Sequence, residues 1–386
     1  MEILIYGIGR YSDRIENSLL DSHKVIGYTD SFSKINLYQG KPFFGVEEIS
    51  EIRFDYIVVT IYSRDMLVKI CDDLENKYHV ERKKIVPYFL WVNSEKYHFR
   101  LRNSAEDVQG IILGNSHAFY AFQTDCFSVP FLNLACPSQD IYFNYMVLKS
   151  SIQKYSSKLQ SLKYIVIDLY DYNNFNIDAS MGKNLFDYFS WGGYVDEHNF
   201  SNNKNYNHSF RQQAYEEKKI LVDIGEHESV MKTLFGSNYN CTEVCSERNC
   251  WGHINADEPL TAAVLLSANV MEKHENTIRE NKSIFISLLE EIKKFRSDVK
   301  IVFTLVPRFY SMEMALKRTI DDIWKEEFMT FIRQVCKEYN AAFFSYKEND
   351  KIFQNPQFYQ DVCHLNTVGG RCVTSILNEE LKNICD

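Results

Sequence analysis

The sequence lacks a long hydrophobic run. No apolar stretch among its 386 residues approaches the length of about 20 residues that crosses a bilayer. The chain begins Met-Glu-Ile-Leu-Ile-Tyr-Gly, which has neither the basic start nor the apolar stretch of an export signal. We therefore expect a cytoplasmic protein whose ten cysteines are reduced thiols.

An excess of positive charge is also missing. The chain has 43 Lys and Arg against 52 Asp and Glu, which gives a formal net charge of −9. Such a chain has no general electrostatic attraction for nucleic acid or anionic lipid, and we expect neither as a partner. Core-forming residues are plentiful, since 45% of the residues are hydrophobic and 27 are Phe, so the composition is that of a globular protein.

The apolar residues of the N-terminal part come in short runs with helix-like stretches between them. In residues 1–92 these runs are Ile3–Tyr6, Val25–Tyr28, Tyr56–Ile61 and Ile85–Pro87. Continuous runs rich in β-branched residues and separated by helices predict a parallel sheet that is covered on both faces. We therefore predict an α/β domain over residues 1–92.

A second alternation of strands and helices follows a polar stretch at residues 90–105. Its strands are predicted at residues 110–113, 129–132, 164–169, 299–306 and 341–345. Five strands separated by helices predict a second α/β sandwich, over residues 105–386. Between the third and fourth strands we expect a long, irregular insertion at about residues 173–260, because much of it is Asn-rich and has no steady period. An amphipathic helical pattern runs from residue 260 to 295.

A serine follows the first strand of the second domain, in the segment Gly114-Asn115-Ser116-His117. This position puts the Ser116 hydroxyl at the carboxyl edge of the sheet, where open α/β sheets bind ligands. The N-terminus of the next helix adds backbone N–H groups that suit a developing oxyanion. A purely structural role is the alternative for each residue. Serine is a favoured helix N-cap, so Ser116 could cap the helix, and His117 could lie in a loop as well as on the wall of a pocket.

A histidine and an aspartate follow the last strand, in the segment Asp361-Val362-Cys363-His364. Imidazole titrates near neutral pH and can take the proton of a serine hydroxyl. A carboxylate three residues earlier can bind the other ring nitrogen and fix the tautomer. The two segments together predict nucleophilic catalysis by a serine.

These segments are similar to the first and last blocks of the SGNH, or GDSL-type, hydrolase superfamily. The Leu-Asn-x-x-Gly continuation that starts at Leu365 is common among the bacterial members. The resemblance covers about residues 105–386. It implies that Ser116 is the nucleophile, that His364 is the general base and acid, and that Asp361 orients the imidazole.

The resemblance also implies an oxyanion hole. The family uses the N–H of the nucleophile, here Ser116, with a glycine N–H after the second strand and an asparagine side chain after the third. At the latter two places this chain has Ser138 and Asn173. Serine supplies the same backbone donor if its φ and ψ allow, but the glycine of the third block is missing. Loss of one such donor costs about 100- to 1000-fold in rate, which leaves a slow, altered or absent activity open.

A glycine motif, Gly7-x-Gly9-x-x-Ser12, follows the first strand of the N-terminal domain. Glycines there let the backbone approach a pyrophosphate at a helix N-terminus, and Asp30 is in position to bind a ribose. The region resembles the small Rossmann-like domains attached to bacterial enzymes that modify surface sugars. The resemblance leaves two roles open: a nucleotide or nucleotide-sugar site, or a structural or docking domain.

The insertion contains a cluster of potential soft metal ligands. Cys241, Cys245, Cys250 and His253 lie within thirteen residues and could in principle bind one zinc ion. Structural zinc sites usually contain a C-x2-C knuckle, which this stretch lacks. Ordinary reduced cysteines are the alternative, and we predict no metal.

We therefore expect a Rossmann-like domain followed by an SGNH-type α/β/α sandwich with a long insertion. The resemblance to proteins of surface-polysaccharide loci implies a serine-dependent esterase or O-acetyltransferase that modifies a sugar or glycan precursor. The resemblance also suggests an acyl-CoA donor or a nucleotide-sugar as the cofactor or co-substrate. Another glycan-modifying transferase and a non-catalytic scaffold are the alternatives.

Overall fold

A computed structural model describes residues 1–9, 11–94, 100–101, 104, 107–179, 184–185, 188, 224–237, 272–317, 320, 322–347 and 349–384. The chain forms two compact units. The first comprises Met1–Lys96 and Gln212–Glu243, and the second comprises Tyr97–Arg211 and Val244–Asp386. Each unit is built on a mostly parallel sheet with helices, so the α/β class predicted from the sequence is confirmed.

The first unit contains a six-stranded sheet in the order β3-β4-β2-β1-β5-β6. All neighbouring strands are parallel except β3 and β4. Because β2 and β5 lie on opposite sides of β1, the loop after β1 opens at the switch point of the sheet. The elements in chain order are β1 (Glu2–Tyr6), α1 (Ser12–Ser18), β2 (Lys24–Thr29), β3 (Leu37–Tyr38), β4 (Lys41–Phe44), β5 (Tyr56–Val59), α2 (Arg64–Asn76), β6 (Ile85–Pro87), α3 (Tyr88–Ser94) and, later in the chain, α6 (Ile224–Phe235).

The helical spacing of the sequence explains how this sheet is covered. Helix α2 buries Leu67, Ile70, Cys71 and Leu74, which recur at the interval of one helix face. The antiparallel pair β3 and β4 was not predicted, because its residues lack a β-branched run. Its turn contains Gly40 at φ +74°.

Helix α6 corrects the prediction of a wholly irregular insertion. It lies at Ile224–Phe235, inside the range 173–260, and the chain division counts it with the first unit. Met231, Leu234 and Phe235 are buried in the core of that unit. The physical reason is that these buried apolar residues recur three and four positions apart, which is the spacing of one helix face.

The second unit contains a five-stranded, all-parallel sheet in the order β11-β10-β9-β7-β8. The first strand, β7, has β8 on one side and β9 on the other, so its switch point lies between β7 and β9. The elements are β7 (Gly110–Leu113), α4 (Ser116–Ala121), β8 (Phe131–Asn133), α5 (Ile141–Tyr155), β9 (Tyr164–Asp168), α7 (Glu275–Phe295), β10 (Lys300–Leu305), α8 (Tyr310–Leu316), α9 (Asp322–Tyr339), β11 (Ala342–Ser345), α10 (Asp350–Phe353) and α11 (Thr367–Asn383).

Alternate residues of the strands face two different cores in this unit. Ile165 and Ile167 of β9 belong to the core that α5, α7 and α9 cover. Val166, between them, belongs to the core that α4 and α11 cover. This period of two is the reason that the second sheet needs helices on both faces. No helix among the described residues is both long and apolar enough to span a membrane.

Candidate active site

The exit of β7 positions Ser116. Gly114 has a φ of +147°, and a Cβ added to it would lie 2.7 Å from the Cβ of Ala118 and 3.1 Å from that of Asp168. Only glycine fits this close approach. The side chain of Asn115 accepts a hydrogen bond from the N–H of His117 at 3.0 Å. Asn115 is therefore the helix N-cap, and Ser116 is the first residue of α4 with its hydroxyl left available.

A tight loop positions the second segment. Tyr359 and Leu365 form an isolated antiparallel bridge that closes the loop at its base. Within the loop, Oδ1 of Asp361 accepts hydrogen bonds from the N–H groups of Cys363 and His364, both at 2.8 Å. The aspartate thus fixes the backbone that carries the histidine.

Helix α11 brings this loop to α4. Asn366 caps α11 by accepting hydrogen bonds from the N–H groups of Val368 and Gly369, both at 3.0 Å. At Gly370 an added Cβ would lie 2.7 Å from the carbonyl oxygen of Tyr120 in α4. The absence of a side chain at Gly370 lets the two helices approach closely enough for their ends to share a site.

The structure brings together the three residues that the sequence singles out. Oγ of Ser116 lies 2.8 Å from Nε2 of His364. Nδ1 of His364 lies 2.9 Å from Oδ2 of Asp361 and 3.0 Å from Oδ1. When Nδ1–H donates to the carboxylate, Nε2 is left to accept the proton of the serine hydroxyl. Burial raises the pKa of Asp361, but the hydrogen bond and charge of His364 outweigh it and hold the pKa below its usual value.

Ser116 and His364 border a cavity of about 270 Å³ that lies wholly within the second unit. Ser116, Ser138 and His364 are on its wall, at the carboxyl edge of the sheet beside the β7–β9 switch point. Its lining residues are Asn115, Ser116, His117, Ser138, Gln139, Asp140, Tyr170, Asn174, Ile177, Ala179, Asn184, Cys363 and His364.

The two further predicted oxyanion donors have different outcomes. Ser138 lies on the cavity wall with a φ of +60°, the left-handed conformation that glycine usually supplies. Asn173 is buried and is not among the lining residues, whereas Asn174 is. Asn174 is the first residue of the 3-10 turn Asn174–Asn176, directly after the predicted Asn173.

His117 is a cavity residue rather than a loop histidine. It is only 5% exposed, and its ring centroid lies 4.7 Å from that of Tyr170 and 4.9 Å from that of His364. Its Nδ1 is buried and has no hydrogen-bond partner among the described residues. Burial lowers the pKa of His117 well below its usual value, and the nearby charges of His364, Arg308 and Lys347 add to the effect.

Sequence reasoning missed a cluster of four buried charges beside the site. Lys347 Nζ lies 2.9 Å from Oδ1 of Asp171 and 3.0 Å from both carboxylate oxygens of Glu313. Arg308 also pairs with Asp171, and its guanidinium lies 4.9 Å from the ring centroid of Tyr170. Burial of Asp171 raises its pKa, but the two cations outweigh burial and lower it. These residues are scattered along the chain, so no local pattern could have found them.

Two buried carboxyl groups near the site were also missed. Asp140 lies on the cavity wall and accepts hydrogen bonds from the N–H groups of Phe143 and Ala179, both at 2.8 Å. Burial nevertheless raises the pKa of Asp140 to about 7. Burial likewise raises the pKa of Asp168 to about 6. The only sequence signal was that Asp140 directly precedes a helix, as an N-cap does.

The glycine loop of the first unit uses its polar groups internally. The N–H of Gly9 donates to Oγ of Ser12 at 3.0 Å. The carboxylate of Asp30 accepts hydrogen bonds from the N–H of Phe32 at 2.8 Å and of Ile8 at 3.4 Å. Gly7 and Gly9 both have positive φ, as the turn requires. The N–H of Gly9 and the carboxylate of Asp30, two of the groups expected to hold a nucleotide, thus already have hydrogen-bond partners within the chain.

The potential metal ligands Cys241, Cys245, Cys250 and His253 lie outside the described residues. Within the described part of the chain, no three His, Cys, Asp or Glu side chains are grouped so as to hold a metal ion.

A family model described as C2185-like, N-terminal matches residues 1–86, which is too little of the chain to show a family for the whole. No curated protein matches the chain in sequence. Among solved structures, the chain is similar to an extracellular lipase from Streptomyces rimosus, with 9% identity and a TM-score of 0.30 over 70% of this chain and 99% of the lipase. A TM-score of 0.30 is too low to show a shared fold.

Proposed function

We propose that the second unit is an SGNH-type serine enzyme that cleaves or transfers an acyl ester. One observation carries the proposal: His364 lies 2.8 Å from Ser116, which is 248 positions away in sequence, and 2.9 Å from Asp361, so the three form one hydrogen-bond chain. The alternative role of Ser116 as an N-cap is weakened because Asn115 already caps α4. The sheet order and the positions of both segments after the first and last strands also support membership of that superfamily.

In this proposal Ser116 Oγ attacks the carbonyl carbon of the ester while His364 Nε2 takes its proton. Asp361 holds the ring in place and stabilises the imidazolium that forms. The same proton then goes to the leaving alcohol, and the acyl-enzyme is resolved by water or by the hydroxyl of an acceptor.

The negative oxygen of the tetrahedral intermediate needs donors that already point towards it. We assign that role to the backbone N–H groups of Ser116 and Ser138 and to the side-chain amide of Asn174. Ser138 and Asn174 both line the cavity beside Ser116, which supports the assignment. The left-handed φ of Ser138 shows that serine adopts the conformation for which the family uses glycine.

The biological setting is inferred from the resemblance. We propose that the enzyme acts in the cytoplasm on a sugar or glycan precursor of a surface polysaccharide, with an acyl-CoA as the donor if it is a transferase. We infer that the Rossmann-like first unit serves as a structural or docking domain, because the N–H of Gly9 and the carboxylate of Asp30 already have hydrogen-bond partners within the chain.

Hydrolysis of p-nitrophenyl acetate tests the proposal. Ser116→Ala and His364→Ala should each lower kcat/KM by at least about 1000-fold, and the double variant should be barely worse, since the pair acts as one unit. Asp361→Asn should lose less. The exposed Ser375→Ala on α11 is the matched control and should keep the wild-type rate. If Ser116→Ala hydrolyses esters as fast as wild type, the site is instead that of another transferase or of a scaffold.

A further inference from the structure

The cavity beside Ser116 has a distinctive wall. Among the described residues that line it, only Ile177 and Ala179 have aliphatic side chains, and none is Lys or Arg. The others carry hydroxyl, amide, carboxyl, imidazole, phenol or thiol groups. A long acyl chain needs a continuous apolar wall, and a phosphate group is usually bound by cations. The wall therefore suits a short acyl group on an uncharged molecule that carries hydroxyl groups.

His117 is one of two side chains of this wall with a buried polar atom that lacks a hydrogen-bond partner among the described residues, and Oε1 of Gln139 is the other. Its side chain is more than nine-tenths buried, and its Nδ1 is enclosed without a hydrogen-bond partner among the described residues. Native proteins leave few buried polar atoms in this state, and a ligand is one of the usual reasons. The imidazole of His117 lines the cavity, and its ring centroid lies 4.7 Å from that of Tyr170 and 4.9 Å from that of His364.

The chemistry of a neutral imidazole narrows the ligand class. Burial and the charges of His364, Arg308 and Lys347 keep His117 uncharged at neutral pH. An uncharged imidazole has one donor and one acceptor nitrogen. A hydroxyl group likewise donates and accepts, whereas a carboxylate only accepts and an ammonium only donates. A hydroxyl can therefore pair with either nitrogen of His117, whereas a carboxylate can pair only with its N–H and an ammonium only with its unprotonated nitrogen.

We propose that His117 binds a hydroxyl group of the molecule that carries the ester, and that the cavity thereby selects short-chain esters of uncharged sugars. The inference rests on the proposed function, since it puts the substrate beside Ser116. His117 acts in this account as a specificity-determining residue that contacts the substrate and takes no proton from it.

Two matched esters test the proposal. Both 6-O-acetylglucose and cyclohexylmethyl acetate are primary acetates on a six-membered ring, but only the glucose ester also carries hydroxyl groups. Wild type should favour the sugar ester in kcat/KM. His117→Phe should lower that preference by about tenfold, the effect of one lost hydrogen bond, mainly through a higher KM. His117→Gln, which keeps one donor and one acceptor, should recover part of the preference.

An equal loss on both esters in His117→Phe would overturn the proposal, because it would indicate a structural role. Equal use of 6-O-acetylglucose and its 1-phosphate, or of p-nitrophenyl acetate and p-nitrophenyl octanoate, would overturn the assigned substrate class.

If His117→Phe does not fold, the affinity of 6-O-acetylglucose for Ser116→Ala and for Ser116→Ala/His117→Gln decides whether His117 contacts the substrate. A weaker affinity in the double variant supports the contact, and an equal affinity contradicts it.

The result for Ser116→Ala separates this inference from the proposed function. If that variant is inactive and His117→Phe keeps the wild-type preference, only the role of His117 is wrong. If Ser116→Ala keeps full activity on both esters, the proposed function itself fails.

Discussion

Gly370 of α11 lies against the carbonyl oxygen of Tyr120 in α4, and a Cβ at Gly370 would be only 2.7 Å from that oxygen. Tyr120 is near the end of the helix that Ser116 begins, and Gly370 is in the first turns of the helix that follows His364. The close contact of the two helices therefore keeps the serine and the histidine within 2.8 Å.

Gly370→Ala should separate these helices. We expect a loss of about 1–3 kcal/mol in the free energy of unfolding, the usual cost of overpacking against rigid backbone. We also expect kcat to fall, because the hydrogen bond from Ser116 to His364 lengthens. Urea unfolding and ester hydrolysis measure the two effects, with Ser375→Ala on the same helix as control. Full activity in Gly370→Ala would show that the contact does not position the pair.

Asn174 and Asn173 should behave differently when each is changed to alanine. Asn174 lines the cavity, so Asn174→Ala should lower kcat by about 100-fold with little change in KM. Asn173 is buried away from the wall, so Asn173→Ala should act mainly on stability. Steady-state kinetics and thermal unfolding of both variants distinguish the two roles. A larger loss of kcat in Asn173→Ala would restore the original choice of oxyanion donor.

The carboxyl group of Asp140 should make stability depend on pH. Its pKa is raised to about 7 in the folded chain, against about 3.9 for an unfolded aspartate. The folded state therefore binds the proton more tightly, and this contribution to stability is complete below about pH 4 and is lost as the pH rises through 7.

Asp140→Asn removes the titration, so it should destabilise more at pH 5 than at pH 8. The difference in the free energy of unfolding between wild type and variant, measured by urea unfolding, should change by at most about 1.4 kcal/mol per pH unit. A destabilisation that is the same at both values of pH, or larger at pH 8, would contradict the raised pKa.

The glycine loop of the first unit should not bind a dinucleotide. The N–H of Gly9 and the carboxylate of Asp30 already have partners within the loop, and Ser12 occupies the place of the third glycine of the binding motif. Titration with NAD(H) and NADP(H) should show no binding at micromolar concentrations. Saturable binding that is lost in Asp30→Ala would show that the loop opens for a ligand.

Local sequence signals predicted the parts of the site that depend on neighbouring residues. Ser116 follows a strand, and Asp361 precedes His364 by one turn, so each segment was visible in isolation. The sequence pointed to Asn173 as the third oxyanion donor, whereas in the structure Asn174 is on the cavity wall and Asn173 is buried. Spacing cannot resolve a shift of one residue.

Other features depend on contacts between distant segments and left no local pattern. Asp171 and Lys347 form a buried ion pair although they are 176 residues apart. Helix α6 is short and lies in polar sequence, and its buried residues are recognisable only when the core of the first unit is seen. The strands were predictable because their burial on both faces requires continuous apolar runs.

Covalent labelling with diisopropyl fluorophosphate tests the central claim most directly, because only an activated serine reacts quickly with this reagent. The account predicts that wild type gains one diisopropylphosphoryl group, that peptide mapping finds it on Ser116, and that His364→Ala reacts far more slowly. Ser116→Ala should remain unlabelled. An unlabelled wild type, or equal labelling of wild type and Ser116→Ala, would contradict the assignment of Ser116 as a nucleophile activated by His364.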